Sequence, residues 1–117
     1  MQKSDLVMPS SMQAMYDRFH FAPAVRAGDL LLCSGQIGVG ADGRAPADLE
    51  QQFTLAFEAV RTILAEAKLN FSDVVELTTF HVGLLQQIQV FSKVKDRYLA
   101  EPYPAWTAIG VSELAFP

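Results

Sequence analysis

Cysteine is almost absent: Cys33 is the only one in 117 residues, so no disulfide can form within the chain. That fits a reducing compartment, and the cytoplasm is the expected location. No apolar run approaches the roughly 18 residues needed to cross a bilayer, so no membrane association is expected. The opening Met1-Gln2-Lys3-Ser4-Asp5 lacks the apolar stretch of a secretory signal. Basic residues are also few. Nine Lys and Arg face 13 Asp and Glu, for a formal charge of -4. They are scattered, and the tightest group, Lys93, Lys95 and Arg97, has Asp96 inside it. Nucleic-acid affinity comes mainly from neutralising phosphates, so this balance argues against a nucleic-acid partner. With one Cys and two distant histidines, His20 and His81, no metal-ligand spacing is present. Gly35, Gly38 and Gly40 are followed by no Gly-Lys-Ser/Thr and match no dinucleotide pattern. Loop flexibility is the simplest account of them.

Apolar residues make up 50% of the chain and charged residues 19%, which supports a packed core and argues against disorder. The length suits one domain, residues 1–117. Residues 19–26 read as a strand, on an edge or bulged because Pro23 cannot donate to a ladder. Ala27-Gly28-Asp29 turns it into a second strand at Leu30-Leu31-Leu32-Cys33-Ser34. Gly38 to Pro46 reads as a loop. Over residues 48–69, Leu49, Phe53, Ala56, Phe57, Val60, Ile63, Leu64 and Ala67 form one apolar stripe at helical spacing. Asp48 is the expected N-cap, and Asn70 the left-handed residue that ends the helix. Val74 to Val82 is rich in β-branched residues and reads as a strand. Leu84, Ile88, Phe91, Val94 and Tyr98 mark a second helix, stopped before Pro102. Trp106 to Val111 reads as a final strand. The order β-β-α-β-α-β predicts an α+β fold, one sheet with two helices on one face.

Leu30-Leu31-Leu32 does not alternate, so both faces of that strand call for burial. Two helices cover only one face. The other needs a partner, and a second copy of the chain is the simplest one. A homo-oligomer is therefore expected from the residues alone.

Several blocks carry a resemblance. They are Phe21-Ala22-Pro23-Ala24-Val25 with Ala27-Gly28-Asp29-Leu30-Leu31, then Ser34-Gly35-Gln36-Ile37-Gly38, and Gln51-Gln52-Phe53. Phe91, Lys95 and Tyr98 follow in the second helix, and Pro102-Tyr103-Pro104-Ala105-Trp106-Thr107 beyond it. In order and spacing they resemble the YjgF/RidA family, also described as endoribonuclease L-PSP. Trp106, where that family has an arginine, is similar to its YjgH-like branch. The resemblance implies a chorismate-mutase-like sheet that assembles as a trimeric barrel, with a cleft between each pair of subunits. Deaminase members hydrolyse enamines and imines and release ammonia. Their arginine binds the substrate carboxylate, and groups near the Ser-Gly-Gln block help place water. No metal or organic cofactor is implied. Members normally continue with one more strand, which carries a glutamate. Glu113-Leu114-Ala115-Phe116-Pro117 reads as the approach to it, so the sequence is expected to be shortened there.

The departures define the candidate cleft: Phe21, Ser34, Gly35, Lys95, Trp106 and Thr107. Trp106 cannot make the paired charged hydrogen bonds of a guanidinium. It reads either as a stacking wall for a flat ligand or as a plug that fills the cleft. Phe21 stands where the family has tyrosine, and Lys95 where it has asparagine. Lys95 reads either as a replacement carboxylate anchor or as an ordinary exposed lysine. Arg26 and Arg97 are further candidate anchors, or solvated charges. Ser34 reads as a turn residue rather than a nucleophile, because no His-Asp pair can be assigned to it. His81 reads as a core or rim histidine, and Cys33 as an inert buried thiol. No catalytic residue is assigned. The expectation is a homotrimer that binds a small metabolite, with ordinary 2-imino-acid deamination lost or altered. An imine hydrolase of changed substrate range is the alternative, and an endoribonuclease the second.

Overall fold

The computed structural model describes residues 1–116 and has the expected α+β architecture. In chain order the elements are β1 (Leu6–Val7), α1 (Gln13–Phe19), β2 (Ala24–Ala27), β3 (Leu30–Cys33), α2 (Leu49–Glu66), β4 (Glu76–His81), α3 (Leu84–Tyr98) and β5 (Ala105–Gly110). Three short 3-10 turns, at Lys3–Asp5, Ser10–Met12 and Phe71–Asp73, join them. The strands form two sheets rather than one. β1, β2 and β3 pair antiparallel, and β4 and β5 pair parallel.

α2 holds the two sheets together, and its sequence says how. Phe53 and Phe57 on its first half pack with Phe91, Val94 and Leu99, while Leu77 and Trp106 lie against that cluster. Ile63 and Ala67 at its far end pack with Val7 and Ala24, with Leu31 and Leu69 beside them. One apolar stripe thus serves two clusters in turn. Asp48 begins α2 by accepting from the Gln51 N–H at 3.0 Å. The left-handed residue that ends it is Lys68, at φ 62°, and not Asn70. Asn70 instead caps the next turn, accepting from the Ser72 N–H at 2.9 Å. Arg26 Nη2 donates to the Ala67 carbonyl at 3.0 Å, so its charge satisfies the end of α2 instead of waiting for a ligand.

The strand expected over residues 19–26 begins only at Ala24. Phe19 closes α1, and His20 takes the left-handed conformation at φ 61°. Register explains the three leucines. Leu31 lies on the face that α2 covers, while Leu30 and Leu32 are each 57% exposed on the other. Phe80 and Ile109, cross-strand partners on β4 and β5, are bare in the same way. Cys33 is exposed rather than buried, although local desolvation pushes its thiol pKa up and disfavours the thiolate. Residues 111–116 run on irregularly, with Phe116 edge-on to Phe19. The expected approach to a further strand ends at Pro117, outside the described residues. No helix among the described residues is long and apolar enough to cross a membrane.

Glu50, in the first turn of α2, reaches across to α3. Arg97 Nη2 donates to it, and Lys93 Nζ lies 3.4 Å from its other oxygen. The Arg97 hydrogen bond, followed by the two positive charges, lowers the Glu50 pKa. A depressed carboxylate pKa stabilises the fold above the ordinary glutamate range, and that contribution is lost as pH falls through the folded value. Glu50→Gln is expected to flatten the acid limb of the stability curve slightly. The effect is small because all three side chains are open to solvent. Denaturant midpoints against pH, at low and high salt, measure it; an acid limb of unchanged slope would refute it.

Candidate functional site

β4 and β5 place alternate residues on opposite faces. Leu77, Thr79 and His81 of β4, with Trp106 and Ala108 of β5, point toward α3, while Thr78, Phe80, Thr107 and Ile109 face away. Trp106 is therefore half-buried on the helix side of its own subunit. Its ring lies 5.8 Å from that of Phe91, tilted by 32°.

The indole is held at its edge. Trp106 Nε1 donates to Thr79 Oγ1 at 3.0 Å, and Thr79 Oγ1 lies 2.8 Å from His81 Nε2. His81 Nδ1 meets Gln87 Oε1 at 3.0 Å, and Gln87 Nε2 donates to the Val82 carbonyl at 2.8 Å. His81 is only 3% exposed and sits edge-on to the Phe53 and Phe91 rings. Both its nitrogens are bonded, so it has none to offer a substrate. It is a core histidine.

Lys95 does not project into solvent as an ordinary helix lysine would. Its side chain is 13% exposed, and Nζ lies 4.8 Å from the centroid of the Trp106 indole. Asp96 meets the ammonium at 3.1 Å. The neighbouring cations of α3 are engaged elsewhere: Lys93 and Arg97 both turn to Glu50. Arg97 is thus no free anchor.

The other candidates lie at the end of the three-stranded sheet. Ser34 Oγ donates to the Ala22 carbonyl at 2.6 Å, and the Ser34 N–H donates to Pro23 at 2.9 Å. The hydroxyl is thus engaged in shaping the chain before β2. Phe21, one residue earlier, is 38% exposed. Gly35 is exposed, and a Cβ there would meet nothing within 4 Å. Gly38 differs. A Cβ on it would overlap the Gln52 carbonyl oxygen inside α2, so close approach requires this glycine, where sequence reading saw only flexibility.

The structure sorts the six candidates into two groups. Lys95 and Trp106 touch, with Thr107 next to them but on the opposite face. Phe21, Ser34 and Gly35 gather at the end of β3. Two open depressions among the described residues, one at Glu101, Pro102 and Tyr103 and one around Arg61 and Pro9, include none of the six. Sequence reading missed Thr79 and Gln87, which hold the indole and the imidazole. Thr79 carried one signal, standing two residues from His81 on a strand and therefore on the same face.

Residues 11–117 match the family model described as Endoribonuclease L-PSP. The RutC family protein YjgH of Escherichia coli K12 is 39% identical over 110 residues, covering 93% of this chain and 84% of that protein. A solved structure of protein YJGH aligns with a TM-score of 0.86 over 94% of this chain and 85% of that one. E. coli TdcF, solved with bound serine, is 29% identical with a TM-score of 0.68, covering 81% of this chain and 77% of that one. The match spans both candidate groups and all five strands but β1, and the chain belongs to the endoribonuclease L-PSP family, the YjgF/RidA proteins.

Proposed function

We propose that this chain binds a small metabolite in clefts between copies of itself, as a homotrimer in the cytoplasm, with ordinary 2-imino-acid deamination lost or altered. The observation that carries the reading is Trp106. It stands where the resemblance implies the carboxylate-binding arginine, and its one polar atom is engaged by Thr79 within its own subunit. Truncating one partner of a buried charged pair costs about 2–5 kcal/mol, a few decades in affinity. A substrate gripped only by that arginine would be lost.

The oligomer is supported by the bare face. Leu30, Leu32, Phe80 and Ile109 are large, apolar and left uncovered by the helices. The split of the candidates supports a cleft built from two copies, one giving the end of β3 and the other the Lys95–Trp106 pair. TdcF, a relative, holds serine in its crystal, which favours a ligand of metabolite size. No metal or organic cofactor enters the reading. The intact Ser34-Gly35-Gln36 block favours a second reading, hydrolysis of a different imine. Ribonuclease activity gains nothing from a chain of charge -4 whose buried histidine has both nitrogens bonded.

The test is ammonia release from freshly generated 2-imino acids, with neutral cyclic imines alongside. The wild type is expected to release none above the spontaneous rate from 2-imino acids. Trp106→Arg is expected to gain measurable release by restoring the guanidinium. Efficient turnover of 2-imino acids by the wild type would overturn the proposal. Turnover of neutral imines alone would favour the second reading.

A further inference from the structure

We infer that Lys95, seated on the Trp106 indole, anchors the carboxylate of a small ligand, so that the cationic grip comes from helix α3 instead of strand β5. This deepens the metabolite-binding reading and rests on it.

The argument starts from the ammonium's surroundings. An ammonium has three N–H donors and no acceptor. Here the side chain is largely covered, at 13% exposure, and the one hydrogen-bond partner found among the described residues is the Asp96 carboxylate. Asp96 is the adjacent residue and is itself 65% exposed. Immediate neighbours on a helix do not face one another, so this contact requires the lysine to bend back from the sheet side toward its neighbour. It is a weak and replaceable partner. The indole face attracts the cation but accepts no directed hydrogen bond. Beyond the Asp96 contact the ammonium carries further N–H donors that a charged acceptor can meet.

The seat is also fixed. The indole cannot swing away while its N–H is donated to Thr79, and Phe91 backs the ring. The cation therefore stands at a set place without a guanidinium's planar fork. A compact ammonium holds one carboxylate as a point charge and is tolerant of its angle. The carboxylate of Asp96, 3.1 Å from the ammonium, disfavours a dianion. The class that fits is a small monocarboxylate with a short or flat apolar body lying along the indole edge.

The experiment follows tryptophan emission in the full chain, which has a single Trp, beside the ligand carboxylate. Acetate, lactate and benzoate are titrated against acetamide, lactamide and benzamide. The carboxylates are expected to shift emission saturably and the amides not to. Lys95→Met is expected to weaken carboxylate binding about tenfold or more, and Lys95→Arg to retain it. Asp96→Asn, an exposed change that leaves folding untouched, is expected to tighten binding severalfold by removing the competitor. The absence of any saturable response to a carboxylate overturns the inference, as does unchanged affinity in both Lys95→Met and Asp96→Asn. Equal response to acid and amide removes the anchor while leaving metabolite binding in place. Imino-acid turnover by the wild type would overturn the loss of deamination and leave the Lys95 anchor standing.

Discussion

Phe57→Ala is expected to cost about 3–5 kcal/mol, the range for truncating a buried phenylalanine. Phe57 stands at the centre of a run of rings. It stacks on Tyr98 at 4.9 Å with the planes 8° apart, and lies 5.6 Å from Phe91 and 6.2 Å from Phe71. Arg61 covers the outer end, over Phe71 and Tyr98. Phe91 then leads on to Trp106. Truncation would empty the point where α2 meets α3, and neighbouring rings cannot collapse into the space without losing their own contacts. Domains are stable by only about 5–15 kcal/mol, so the variant should lose about a fifth or more of its margin. Chemical denaturation measures the loss, and Phe57→Leu, which keeps most of the volume, should cost much less. Equal costs for alanine and leucine would mean that ring packing is not what holds the helices together.

Gly38→Ala is expected to cost about 3 kcal/mol, the upper end of overpacking. The new methyl would overlap the Gln52 carbonyl, which is helix backbone and cannot rotate aside as a side chain can. The loop before α2 would have to lift away, releasing the Gln52 Nε2 bond to the Pro46 carbonyl as it goes. Gly35→Ala is the control. Its Cβ meets nothing within 4 Å, and its φ is not positive, so a change within about 0.5 kcal/mol is expected. Thermal unfolding of the pair separates a packing requirement from a preference for flexible loops. Similar melting temperatures would end the close-approach account.

Much of this was legible in the residues. α2 and α3 are long enough for their apolar stripes to repeat, and β4 and β5 carry β-branched and aromatic runs. α1 and β1 escaped because seven residues and two residues are too short to show a period. The bare sheet face was legible too, because three leucines in a row cannot all point inward. The candidate site was read only in part. Trp106 and Lys95 were both singled out, but their contact was not. It depends on how α3 is rotated over β5, which tertiary packing decides. The surroundings of Cys33 went the other way: an apolar strand suggested burial, and the end of a short strand left the thiol exposed. Gly38 was misread because the clash it avoids lies on a helix fourteen residues away.

The bonds running from the indole to the Val82 carbonyl have a forced sense. A backbone carbonyl only accepts, so the Gln87 amide must turn its nitrogen there and its oxygen to the imidazole. An uncharged His81 must then carry its hydrogen on Nδ1, leaving the lone pair on Nε2 for the Thr79 hydroxyl. That hydroxyl in turn has its oxygen free for the indole hydrogen. One tautomer is thereby written into the strand pair. A disturbance at the tryptophan edge should register as a change in nitrogen shielding on a histidine that no ligand touches.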